Sequence, residues 1–89
     1  MIRMFARHPV QDFGAWKSVY DEIDAWRREA GVQGAGVFRS LDDANDVTVW
    51  HDFESEDEAR AFVASDGLRE AMAKAGVAGA PTIWFTRAA

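Results

Sequence analysis

Cysteine is absent from this 89-residue chain, which excludes disulfides, thiolate metal sites and a thiol nucleophile. Positive charge is scarce as well. Ten Lys and Arg stand against 15 Asp and Glu, for a formal charge of −5, and the basic residues form no stripe along one element. Such a surface repels phosphate backbones, so nucleic acid is not expected as a partner. Long apolar runs are missing too. The opening Met1-Ile2-Arg3-Met4-Phe5-Ala6-Arg7-His8 is broken by charge every few residues, unlike a signal peptide or a membrane span. A cytoplasmic protein without a membrane partner is therefore expected. No repeat, linker or low-complexity segment interrupts the chain, which reads as one domain over residues 1–89. A chain of this size buries only about two-thirds of its unfolded surface. With no covalent cross-link available, oligomerisation is the remaining supplement to its core.

What is present is periodic. Ile2 to His8 alternates two residue sets, as a strand does, and Pro9 closes the segment. Asp12 is placed to cap a helix whose apolar residues Phe13, Trp16, Val19, Tyr20, Ile23, Trp26 and Ala30 recur at three- and four-residue spacing, with Gly31 ending it. Val32 to Ser40 and Val47 to Phe53 read as antiparallel strands around a polar hairpin loop. Ser55 followed by Glu58 is a capping box. The helix it opens, with Ala59, Phe62 and Val63 inward, is interrupted by Ser65-Asp66-Gly67, resumes through Leu68, Met72 and Ala75, and stops at Gly76. After Pro81, Thr82 to Thr86 forms the last strand.

This βαββαβ order predicts an α+β fold: a four-stranded antiparallel sheet in the order 4-1-3-2, with both helices on one face. Ile2, Met4 and Ala6 should share the helix side with Val47, Val49 and Phe53. The opposite face then carries Arg3, Phe5 and Arg7 with Thr48, Trp50 and Asp52. Each aromatic there would hide roughly 150–250 Å² if covered, so a lone subunit would show an apolar patch near the usual limit of a few hundred Å². A homodimer joined through this face is expected, with Arg3 or Arg7 meeting Asp52 across or within the interface. A solvated face with two stray aromatics is the plainer possibility.

The stretch Arg7-His8-Pro9-Val10-Gln11-Asp12-Phe13-Gly14-Ala15-Trp16-Lys17, with Tyr20-Asp21-Glu22, Gly31-Val32, Val37-Phe38-Arg39-Ser40 and Gly76-Val77, resembles the small dimeric α+β barrel proteins of the antibiotic-biosynthesis-monooxygenase-like and cyclase-like group. The likeness implies two ferredoxin-like sheets closing into a barrel. That group spans cofactor-independent oxygenases, polyketide cyclases, lactone isomerases, haem-degrading enzymes and ligand-sensing domains, so fold alone does not select an activity. Haem degradation in the group draws its axial ligand from a helix histidine. The second helix here has none, and no cofactor is expected.

In the expected topology His8 lies at the top of the sheet, and His51 lies near the bottom, about a strand length away, so a shared metal between them is not expected. Phe13 and Trp16 approach His8, Tyr20 sits one turn lower, and Leu68, Met72 and Trp84 complete an aromatic pocket for a hydrophobic or aromatic small molecule. His8 is the candidate acid or base, because imidazole exchanges a proton near neutral pH. Tyr20 is the candidate donor to a developing oxyanion. An oxygenase or cyclase would use these groups catalytically, whereas a binding or sensing module would hold the same ligand unchanged. The same residues also have purely structural uses: His8 can bond a loop carbonyl, Trp16 and Tyr20 can be core, and His51 can sit at an interface or core edge. Asp42-Asp43-Ala44-Asn45-Asp46 lacks the spacing and central glycine of a calcium loop, and Gly31 to Gly36 precedes a strand instead of opening a helix, so it forms no dinucleotide cradle. A ligand site needs a cavity of several hundred Å³ beside His8, as small-molecule pockets usually have.

Overall fold

The alternation at the start of the chain becomes the pleat of a central strand. In the computed structural model, which describes residues 1–89, the elements run β1 (Ile2–Pro9), α1 (Phe13–Glu22), α2 (Asp24–Glu29), β2 (Gly34–Arg39), β3 (Asp46–Phe53), α3 (Glu56–Ala64), α4 (Asp66–Ala75) and β4 (Thr82–Arg87). The strands form one antiparallel sheet in the order β2-β3-β1-β4, the expected arrangement read from the other edge. Ile2, Met4, Ala6 and His8 are buried on the helix side with Val47, Val49, His51 and Phe53. Here the parity rule reaches one residue further than expected: His51 pairs with Met4 across the ladder and belongs to the inner face, not to its edge.

The local signals act as the sequence suggests. Asp12 accepts a hydrogen bond from the Ala15 amide at 2.8 Å, and Ser55 accepts one from the Glu58 amide at 3.2 Å. Ser65 breaks the second helical segment with an extended backbone, and its side chain caps α4 by accepting from the Leu68 amide at 3.2 Å. Gly76 ends α4 in the left-handed region at φ 78°, which a side chain would disfavour. The first helical segment departs from expectation. It is divided at Ile23, where φ −100° and ψ 19° interrupt the helix between α1 and α2. The apolar stripe continues through Trp26 on the far side of the break, so periodicity alone reads it as one helix.

The two helical layers meet the sheet differently. α3 lies directly against β1 and β3, an approach that the small, fully buried Ala59 permits. α1 packs chiefly on α4 and α2 and reaches the sheet through its long side chains, with Trp16 buried in the core.

On the outer face, Arg3 grips Asp52 with Nε and Nη2 at 2.8 and 3.0 Å. Arg7 grips Asp46, not Asp52, in the same way at 3.0 and 2.6 Å. Both pairs lie within one chain, because the β1–β3 register sets Arg3 opposite Asp52 and leaves Asp46 opposite the neighbouring Pro9. Phe5 stacks on Trp84 with centroids 5.3 Å apart. Trp50 lies over β2, where a Cβ added to Gly36 would come within 2.2 Å of its indole nitrogen. The glycines of β2 thus leave space above the sheet, and Trp50 fills it.

Phe62 is the hub of the inner layer, touching the rings of Trp26, His51 and Phe53 at centroid distances of 5.5, 5.5 and 5.4 Å. Phe62→Ala should lower the unfolding free energy by about 3–5 kcal/mol, measured by urea denaturation. A loss below about 1 kcal/mol would show that this ring does not anchor α3.

Candidate functional site

Where α1 and α4 meet above the sheet, their side chains enclose a cavity of about 60 Å³ lined by 17 residues, 14 of them hydrophobic. His8, Trp16, Tyr20, Leu68 and Met72 all line it, as the sequence suggested, and so do His51 and Arg27. Two expected members stand elsewhere. Trp84 is opposite Phe5 in the β1–β4 register and therefore points to the outer face; Ile83, opposite Ala6, takes its place in the wall. Phe13 stands behind the wall, packed on Trp16 at 5.8 Å, with the Arg39 guanidinium 3.9 Å above its ring. The cavity is also much smaller than the several hundred Å³ expected. It has room for a small polar group or a few waters, but not for a fused ring system.

An aromatic series crosses the site. His8 is 5.8 Å from Trp16, Trp16 stacks on Tyr20 at 4.9 Å, and Tyr20 stacks on His51 at 6.0 Å. His8 and His51 are separated by four residues of ladder, because His51 pairs with Met4, or about 13 Å at strand rise. They stand at two ends of one cavity wall, and His51 is nearer the site than the sequence reading placed it.

Tyr20 Oη and His51 Nε2 are hydrogen-bonded at 2.9 Å. Burial, reinforced by the charge of Arg27, lowers the His51 pKa to about 4, so this imidazole is neutral at pH 7. Burial likewise raises the Tyr20 hydroxyl and lowers His8. Either neutral tautomer of His51 leaves one donor of the pair free. With hydrogen on Nδ1, the imidazole retains an N–H; with hydrogen on Nε2, Tyr20 retains its O–H. The Nδ1 atoms of both His8 and His51 are buried without a hydrogen-bond partner. His8 also borders a solvent-open hollow of about 350 Å³ lined by Asp43, Asp46 and Thr82 among others. It therefore stands between the cavity and this hollow.

A ferredoxin-like α+β chain with an aromatic, histidine-bearing pocket under its first helix defines the structural class. The profile of the antibiotic biosynthesis monooxygenases matches residues 11–74, and the chain belongs to that family. Its fold is similar to that of a Bordetella bronchiseptica protein of the antibiotic biosynthesis monooxygenase type, with TM-score 0.85, 19% identity and 99% and 96% of the two chains covered. It is similar to SnoaB, a cofactor-independent oxygenase from Streptomyces nogalater, with TM-score 0.74, 16% identity and 99% and 94% coverage. A third is the ActVA-Orf6 monooxygenase of Streptomyces coelicolor, solved with the ligand nanaomycin D, with TM-score 0.69, 25% identity and 99% and 88% coverage. No protein of curated function matches the sequence.

The buried imidazoles have a thermodynamic signature. His51 titrates near 4 in the folded chain against 6.5 when exposed, so the unfolded state binds more protons between these values. Stability should be undiminished above pH 6.5 and fall as pH drops from there to about 4, where this contribution levels off, by a few kcal/mol in order of magnitude. Asp46 and Asp52 are held below their usual 3.8 by Arg7 and Arg3, so their contribution is lost in a more acidic range. Denaturation of a His51→Gln variant should show a shallower slope between pH 6.5 and 4; a slope equal to that of the parent would exclude His51 as the source.

Proposed function

We propose that this chain is a cytoplasmic homodimer that binds a hydrophobic or aromatic small molecule between its sheet and helices and oxygenates it without a cofactor. The observation carrying this reading is the pair of buried, unpartnered imidazole nitrogens, on His8 and His51, in a wall that is apolar apart from these rings, Arg27 and the Tyr20 hydroxyl. Unsatisfied buried polar atoms are few in folded proteins and point to a missing partner.

On this reading neutral His8 accepts the proton of a ring hydroxyl and passes it to solvent through the hollow beside Asp43 and Asp46. The Tyr20–His51 pair, at the other end of the wall, donates to a second ligand oxygen onto which the negative charge is delocalised through the conjugated ring. The electron-rich anion reduces dioxygen; one oxygen atom enters the ring, the other leaves as water, and a phenol is converted to a quinone. The cavity of about 60 Å³ admits rings only when α1 and α4 part. The dimer is supported by the outer face, where Trp84 and Phe38 are 41% and 60% exposed beside Phe5 and Trp50. Its cations are already paired with carboxylates. A second sheet laid against it would cover these rings without stranding a charge.

Two measurements test these statements separately. Sedimentation equilibrium at micromolar concentration should give a species of two chains, and the double variant Phe38→Glu with Trp84→Glu should shift it to single chains; a parental monomer removes the dimer. His8→Ala should remain folded by circular dichroism yet slow aerobic oxidation of a dihydroxynaphthalene probe by about a hundred-fold or more, the scale of general base catalysis. Parental turnover in that variant would eliminate His8 as the base, and binding of the probe with its unchanged recovery from the parent would make the protein a binding module instead.

A further inference from the structure

Arg3, Arg7 and Arg27 each hold a guanidinium fixed against other residues on the sheet or under it, and one of these three is incompletely paired. Arg3 and Arg7 each present the same edge, Nε and Nη2, to both oxygens of a carboxylate. Arg27 is held as firmly. It is only 4% exposed, its guanidinium carbon lies 3.5 Å above the Tyr20 ring, and Nη1 donates to the Tyr20 carbonyl at 2.5 Å. Yet its Nε is buried with no partner, and Nη2 reaches Asp24 only at 3.4 Å. That carboxylate is 49% exposed and sits closer to Arg28, at 3.0 Å. The edge that elsewhere in this molecule grips a carboxylate with both nitrogens is therefore only half engaged in Arg27, through the long Nη2–Asp24 contact, although a buried cation ordinarily requires a close counter-charge.

Arg27 lines the cavity together with His51, whose Nδ1 is also without a partner. The geometry points to a carboxylate seat: the ligand of this pocket is an aromatic acid, whose carboxylate pairs with the Nε–Nη2 edge of Arg27. Planar, two-pronged pairing of this kind is what guanidinium does best. The cavity of about 60 Å³ suits a group of carboxylate size, which fits the polar end of such a ligand while its rings occupy the space opened between the helices. Because the whole chain carries a charge of −5, acids gain nothing from its overall field, and selectivity for one falls to this buried cation. The inference rests on the pocket reading above and adds the ligand's chemical class.

The test uses a hydroxynaphthoate and its methyl ester as probes, titrated calorimetrically into the intact protein. The acid should bind at least about ten-fold tighter than the ester, the scale of one charge-assisted pair. Arg27→Gln should bring the ratio of acid to ester affinity, both measured in that variant, down to about one. As a measurement independent of the variant's folding, the Arg27 Nε–H resonance of the parent should shift on adding the acid and stay in place on adding the ester. Equal binding of acid and ester, a preference that survives in folded Arg27→Gln, or an unmoved resonance at saturation overturns the carboxylate seat and leaves the pocket intact. Failure of both probes to bind overturns the pocket reading and this inference together.

Discussion

Two rings one helical turn apart, Trp16 and Tyr20, set the height of α1 above the sheet, and the site exists because of that height. Stacked at 4.9 Å, they occupy a layer that aliphatic side chains would leave thinner. Beneath α3 the opposite choice is made: Ala59, fully buried, brings that helix down onto β1 and β3. The cavity lies under the raised part of the helical layer. Aromatic residues also carry polar tips to depths that short side chains cannot reach, so the Tyr20 hydroxyl meets His51 inside the protein, in surroundings apolar enough to hold the imidazole neutral.

Much of this arrangement is readable from residue order. The alternation of β1, the caps at Asp12 and Ser55, and the break at Ser65 are local signals with local causes. The strand order follows from them once crossovers are right-handed. The site is less legible. His51 has the same parity as Val47, Val49 and Phe53, so position alone assigns it to the inner face; its polarity argues the other way, and burial beside Tyr20 decides the matter. For β4, period two offers the sets Trp84 with Thr82 and Thr86 or Ile83 with Phe85, and only the register with β1 chooses between them. Arg27 lies seven residues after Tyr20, a spacing that aligns two side chains on one helical face, but an arginine there ordinarily extends to water. The cavity's size depends on how large rings interlock, which no pattern of residue types encodes.

The outer face shows how a sheet can carry charge and still suit an apolar neighbour. Each guanidinium lies one strand away from a carboxylate and takes both of its oxygens, so the charge is cancelled where it arises. Arg3 also lies 3.8 Å from the centre of the Trp50 ring, and Trp50 in turn lies over Gly36. Side chains that would otherwise stand upright are laid down across the neighbouring strands.

The interruptions at Ile23 and Ser65 mean that neither helical layer is a single rod. An unbroken helix transmits a displacement along its length, whereas a segment bounded by a non-helical residue can rotate about that point. α1 rests on α4 and α3 rests on the sheet, so the two parts of the helical layer are supported by different neighbours. On the proposed function, breaks at these two points would let an entrance yield while the layer seated on the sheet keeps its place.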